Sequence, residues 1–180
     1  MKKSQIKDLI SVNISKRILF SYKREKCDNF NNYSMFLDIS DKLILGLHED
    51  DFMFNGFEIM RFKDITQVEL KNDYYNNIIK KEGLLDTIII PKIRLDSWQT
   101  VFEDLQSLGN NLIVEKEDIV KDECEFWIGK ILRVYKNSVH IHNFDADGVW
   151  DDGYFIIPYS IITSVTFGSR YVDVFSKYLK

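Results

Sequence analysis

The chain repeats part of its own sequence. Residues 55–80 (NGFEIMRFKDITQVELKNDYYNNIIK) and residues 152–177 (DGYFIIPYSIITSVTFGSRYVDVFSK) align without a gap at a constant offset of 97. Identical residues include the pairs Gly56 and Gly153, Ile59 and Ile156, Thr66 and Thr163, and Val68 and Val165. A repeat of this length means that whatever one copy folds into, the other must fold into as well.

The similarity continues upstream with small changes of offset. FLDISDKLILGL in the first copy parallels KILRVYKNSVHIHN in the second, each a strand, a polar turn and a second strand. The amphipathic stretch SQIKDLI stands where DSWQTVFEDLQSL stands in the second copy. We therefore predict two repeats, residues 1–84 and 96–180, each with a helix, five strands and a closing helix. Residues 85–95 form a packed connector, whose apolar segment 87–90 we expect to pack as a strand.

Local periodicity supports these elements. In DSWQTVFEDLQSLG, apolar residues recur every three or four positions, as on one face of a helix, with Asp96 or Ser97 as N-terminal cap and Gly109 as C-terminal cap. In SVHIHNF, Val139 and Ile141 alternate with His140 and His142, as in a half-buried strand.

Five short strands after a helix, with a tight corner before the last one, form the strand pattern of a small β-barrel. Each repeat resembles the Sm-like or SH3-like barrel over about 70 residues. The resemblance implies a mainly β fold with flanking helices (α+β), built as two tandem five-stranded barrels. The second copy, with GVWDD and the closing FSKYL, also resembles uncharacterised bacterial proteins of low-GC genomes, a likeness that implies no activity.

Composition limits the class of protein. The hydrophobic fraction of 45% is enough for a packed core, and no apolar run reaches the length of a membrane span. No secretory signal and only two distant cysteines predict a cytoplasmic protein. Residues 1–85 carry 14 basic and 13 acidic side chains, whereas residues 86–180 carry 10 and 15. The acidic second half disfavours general binding to phosphate backbones and suits a basic partner.

One acidic stretch, NFDADGVWDDGY at residues 143–154 (the acidic loop), has much of the spacing of a calcium-binding EF-hand loop. Its twelfth position is Tyr154 rather than a bidentate acid, and both flanks read as strands. We interpret it as a long hairpin loop with Asp145, Asp147 and Gly148 supplying the turn, and a weak Ca²⁺ site as the alternative.

Candidate catalytic and metal-binding groups are sparse. His140 and His142 share one face of a strand, and Asp145 and Asp151 are near enough in sequence to reach them. No cysteine or third histidine lies nearby, so a zinc site is disfavoured. No glycine-rich phosphate loop and no suggestive nucleophile–histidine spacing occur. We predict no enzymatic activity, no cofactor and no metal.

Exposed aromatic and charged residues predict partner binding instead. Trp150 stands among acids in the acidic loop and supplies apolar area of the kind that anchors interfaces; packing over the mouth of a barrel is its alternative role. The predicted partner site comprises Trp150, Asp145, Asp147, Asp151 and Asp152.

The predicted function is non-enzymatic binding of a basic protein, with a toxin-neutralising immunity protein or a defence-associated protein as its concrete form. The alternative is a nucleic-acid-binding or regulatory module that uses the basic segment with Lys16, Arg17, Lys23 and Arg24.

Overall fold

The structure is a computed structural model that describes residues 1–86 and 88–180. Its first repeat contains helix α1 (Lys3–Asn13), strands β1 (Phe20–Lys23), β2 (Asn32–Ile39), β3 (Leu43–Asp50), β4 (Met53–Arg61) and β5 (Gln67–Leu70), and helix α2 (Asp73–Lys81). The second contains helix α3 (Trp98–Leu108), strands β6 (Leu112–Asp118), β7 (Glu123–Val134), β8 (Ser138–Asn143), β9 (Phe155–Pro158) and β10 (Ser164–Phe167), and helix α4 (Arg170–Ser176). We call these repeats the first unit and the second unit. The predicted element order is confirmed in both.

The ten strands form one open antiparallel sheet, and the prediction of two closed barrels is wrong. The strand order is β5-β1-β2-β3-β4-β10-β6-β7-β8-β9. Each unit thus places its fifth strand beside its first, as a small barrel would. Closure would also require pairing of the fourth and fifth strands within a unit. Strand β4 instead pairs with β10 of the second unit, from Met60 opposite Ser164 to Phe57 opposite Phe167. We call this β4–β10 pair the junction.

The two units bury opposite faces of the sheet. Neighbouring residues of a strand point to opposite faces, and in β4 both faces are buried. Met60 packs in the core of the first unit with Ile6 and Ile10 of α1. Ile59, one residue earlier, packs in the core that contains α3. Helices α1 and α3 therefore cover opposite sides, and β4 belongs to both cores.

The connector is packed but contains no strand in residues 88–95. Ile93 and Leu95 are buried in the core that contains α3, and Leu84, Leu85 and Ile88 pack beside β2 and β3. The predicted strand over 87–90 is therefore wrong for residues 88–90, where Ile89 is 88% exposed; Thr87 lies outside the described residues. A strand between the two units would find no free edge there, because β4 and β10 pair directly with each other.

Helix α3 begins and ends as predicted. The Ser97 hydroxyl accepts a hydrogen bond from the Thr100 backbone N–H, and Gly109 adopts φ 75° at the C-terminus. Within the described residues, no helix combines the length and apolar character needed to cross a membrane.

Candidate functional site

The acidic loop is a compact hairpin connection between β8 and β9. The Asp145 carboxylate accepts hydrogen bonds from the backbone N–H groups of Asp147 and Val149, both at 2.9 Å. Gly148 adopts φ +73°, a left-handed conformation that suits glycine. Asp145 therefore supplies turn chemistry, as the hairpin interpretation predicts.

Trp150 packs against the base of this loop. Its ring stacks on His142 at 4.6 Å between centroids and meets Phe144 edge-on at 5.4 Å. It is half-buried, beside a small cluster that contains Ile128 and Val172. The Trp150 ring thus packs partly against the protein itself, and only part of it is exposed.

An exposed surface lies next to the loop, on the side of the β8–β9 pair away from α3. The His140 ring lies between two tyrosines, stacked on Tyr154 at 4.8 Å and tilted against Tyr135 at 4.6 Å. Ile156 is the cross-strand neighbour of His140. We call Tyr135, His140, Tyr154 and Ile156 the outer face.

The first unit has the same surface, but there it is buried. By the 97-residue offset and the strand register, Ile59 corresponds to Ile156, Leu45 to His140 and Phe57 to Tyr154. Ile59 is 0% exposed because the second unit covers it, whereas Ile156 is 59% exposed. The outer face is therefore the duplicate of an interface that is already used inside the molecule.

The predicted aspartates lie along the loop beside this face. Asp145, Asp147 and Asp152 are exposed and Asp151 is half-buried. The Asp151 carboxylate accepts a hydrogen bond from the Asn143 amide at 2.9 Å, and its backbone carbonyl lies 2.9 Å from Nε2 of His142. Throughout residues 1–86 and 88–180, no basic side chain forms an ion pair with any of the four. Their negative charge is therefore left to solvent or to a partner.

The structure brings no metal-type donor set together in the part of the chain that it describes. No group of three or more histidine, cysteine, aspartate or glutamate side chains is placed to hold an ion there. His140 and His142 do leave the same face of β8, as the sequence predicts, but each ring is stacked on aromatic neighbours.

The four basic residues proposed for nucleic-acid binding do not form one surface. Lys16, Arg17 and Lys23 are at least partly exposed, but the Arg24 side chain is only 7% exposed. Its guanidinium donates to both carboxylate oxygens of Glu117, at 2.8 and 2.9 Å, and pairs with Asp28 at 3.0 Å. Arg24 is therefore committed to the protein's own acids, which weakens the nucleic-acid hypothesis.

Arg24 belongs to a polar cluster on the α1 side of the junction. Glu58 lies 3.8 Å from the guanidinium and accepts a hydrogen bond from the Tyr22 hydroxyl at 3.0 Å. Glu115 accepts from Ser164, and burial raises the pKa of its carboxyl. Surrounding carboxylates raise the pKa of Arg24 despite its burial, so the guanidinium stays charged. Every partner of these groups comes from the fold itself, and we interpret the cluster as an ionic seam that joins the two units.

The aspartates and Trp150 are predicted from the sequence, whereas the outer face is not. Two signals were present: His140 and His142 alternate with buried residues, and Ile156 aligns with Ile59. Neither reveals that the copy in the first unit is covered, because that depends on the long-range β4–β10 pairing.

Comparison with protein-family models, with curated proteins and with solved structures gave no match in any of the three.

Proposed function

We propose that the protein is a non-enzymatic binding protein that engages a basic protein partner through the acidic end of its second unit. The observation that carries the proposal is the outer face. Ile156 and Tyr154 are 59% and 54% exposed. Their counterparts in the first unit, Ile59 and Phe57, pack against the second unit. An exposed patch of this kind is where binding is expected.

The chemistry of the patch favours a protein surface as ligand. Tyrosine and histidine rings held by mutual stacking supply rigid contact area with polar tips, which lowers the entropy lost on binding. Asp147 and Asp152 extend from the loop beside them without an ion pair in the described chain. Such charges steer and orient a lysine- or arginine-rich partner more than they add affinity.

A toxin-neutralising immunity protein, or another defence-associated protein, is the concrete form that we propose. Such a role needs a rigid acidic surface and no catalysis. Location in the cytoplasm is part of the same proposal and is supported by the two free cysteines, Cys27 and Cys124.

The proposal is tested by comparing three forms of the protein as bait in extract of the native host. The face variant combines Tyr154→Ser and Ile156→Ser. The matched control, Val12→Ser with Tyr74→Ser, removes apolar side chains that are at least as exposed from the first unit. We expect at least one basic protein to be retained by the wild type and the control and lost by the face variant. Retention should weaken as salt rises, because it depends partly on charge. If no protein shows this pattern, the proposal is wrong.

A growth assay tests the immunity role separately. The gene is co-expressed with the toxic candidate among the captured proteins, and cell growth is measured. Rescue by the wild type and the control, but not by the face variant, supports neutralisation. Equal rescue by all three would place the neutralising surface elsewhere.

A further inference from the structure

The two end strands of the sheet, β5 and β9, are second copies of the two strands that pair at the junction. Strand β9 is the counterpart of β4, and β5 is the counterpart of β10. If the junction could be repeated between molecules, β9 of one copy would pair with β5 of the next. Such a head-to-tail contact generates rings or open filaments. We propose that residues at both ends block this repetition, so that the chain is a self-terminated pair of units.

The first block lies in the backbone of β9. At the junction, the Arg61 backbone N–H donates to the Thr163 carbonyl at 3.2 Å. The residue 97 positions after Arg61 is Pro158, which has no N–H to donate. Proline on an edge strand is a known means of preventing strand addition. The hydrogen bond that begins the junction therefore cannot form at the β9 end.

The second block lies in the side chains beside β9. Leu43 and Leu45 of β3 are buried at the junction, in the core that contains α3. Register with the neighbouring strand makes Ser138 the counterpart of Leu43 and His140 the counterpart of Leu45. Polar side chains thus stand at the β9 end in place of the apolar ones that are buried between the two units at the junction.

The third block lies on the complementary end, in α1. Trp98 and Phe102 of α3 belong to the core shared with Leu43, and Phe102 stacks on Tyr159 at 5.7 Å. Aligning the buried pairs Ile6 and Ile10 with Val101 and Leu105 places Lys3 at the position of Trp98 and Lys7 at that of Phe102. The Lys3 ammonium lies 5.6 Å from the Phe62 ring, the counterpart of Tyr159, which supports the alignment. A second copy docking here would have to desolvate two lysines.

Three independent replacements, in a backbone group, a sheet face and a helix face, therefore act against the same contact. Their shared effect is to leave the outer face free of copies of this chain. The inference stands without the proposed function, since it concerns only association between copies.

Two end variants test it by mixing. The β9-end variant carries Ser138→Leu, His140→Leu and Pro158→Arg. The α1-end variant carries Lys3→Trp and Lys7→Phe. Each restores one half of the junction, so each alone should stay monomeric, as should the wild type at its highest soluble concentration. Mixing the two should double the mass seen by analytical ultracentrifugation and stop there, because the remaining ends are still blocked.

Controls separate directed pairing from general stickiness. Lys80→Trp with Lys81→Phe adds the same apolar groups at exposed sites on α2; mixed with the β9-end variant, it should give no dimer. Circular dichroism confirms that each variant is folded, and Lys7→Phe alone replaces the α1-end variant if the double substitution unfolds the chain. The inference is overturned if wild-type molecules associate through β5 and β9, or if the folded variants do not pair on mixing.

Discussion

Arg24 shows how a single residue joins the two units. Its guanidinium is nearly buried and is held by Asp28, Glu58 and Glu117, the last of which belongs to the second unit. The sequence places Arg24 in a basic segment with Lys16, Arg17 and Lys23, which favours a solvent-exposed position. Its partner Glu117 lies 93 residues away in the sequence, and no local pattern predicts that the two side chains meet.

We expect Arg24→Ala to lower the free energy of unfolding by about 3–5 kcal/mol, because it leaves buried carboxylates without a counter-charge. Urea unfolding followed by circular dichroism measures the loss. Arg94→Ala is the control, since Arg94 forms its ion pairs with Glu103 and Asp104 at the surface, where water screens them. Equal losses for the two variants would contradict the description of the ionic seam.

Glu115 gives the seam a predictable pH dependence. Burial raises the pKa of its carboxyl in the folded state, so the folded protein holds this proton at pH values where the unfolded chain has lost it. The contribution of Glu115 to stability therefore decreases as pH rises through and above the ordinary carboxyl range. We expect Glu115→Gln, which keeps an acceptor for Ser164, to gain stability relative to the wild type as pH rises, and the gain to level off above the folded pKa. Urea unfolding at a series of pH values tests this, and a gain that shrinks with rising pH would show that the sign is wrong.

At the scale of elements, the sequence predicts what is local and misses what is not. Spacing and turn chemistry predict the caps of α3, the alternation in β8 and the order of the α-helices and strands in both units. In helix α4, the spacing of the apolar residues predicts one face with Tyr171, Val174, Phe175 and Tyr178, yet Val172 is the buried residue. Strand β4 could pair with β5 of its own unit or with β10 of the other, and these two strands have similar sequences. The sequence alone therefore favours neither partner.

Alanine substitution of the equivalent glycines Gly56 and Gly153 tests whether β4 pairs with β10. A methyl group added to Gly56, which has φ +84°, would lie 2.6 Å from the Ser169 backbone nitrogen beyond β10. At Gly153, its counterpart in the second unit, the same group would meet no atom within 4 Å. We expect Gly56→Ala to cost roughly 1–3 kcal/mol, because the added methyl group would collide with the Ser169 backbone across the junction and the positive φ strains alanine. We expect Gly153→Ala to stay within about 0.5 kcal/mol of the wild type. Thermal unfolding of both variants measures the difference, and similar midpoints would argue against the β4–β10 pairing.

At the scale of the whole molecule, the two units share one core and should unfold together. Leu43, Leu45 and Ile59 of the first unit pack with α3, β6 and β10 of the second. All three tryptophans, Trp98, Trp127 and Trp150, lie in the second unit, so their fluorescence reports on that unit and on its contact with the first. We expect Ile59→Ala, a change in the first unit, to lower the stability reported by these tryptophans by about 2–5 kcal/mol. Circular dichroism, which reports on both units, should give the same midpoint in urea, as a two-state transition requires.

Met60→Ala on the opposite face of β4 is the matched variant, because it leaves a cavity in the core of the first unit only. If the units were independent, Met60→Ala would leave the tryptophan transition unchanged; because they share β4, we expect it to shift that transition as well.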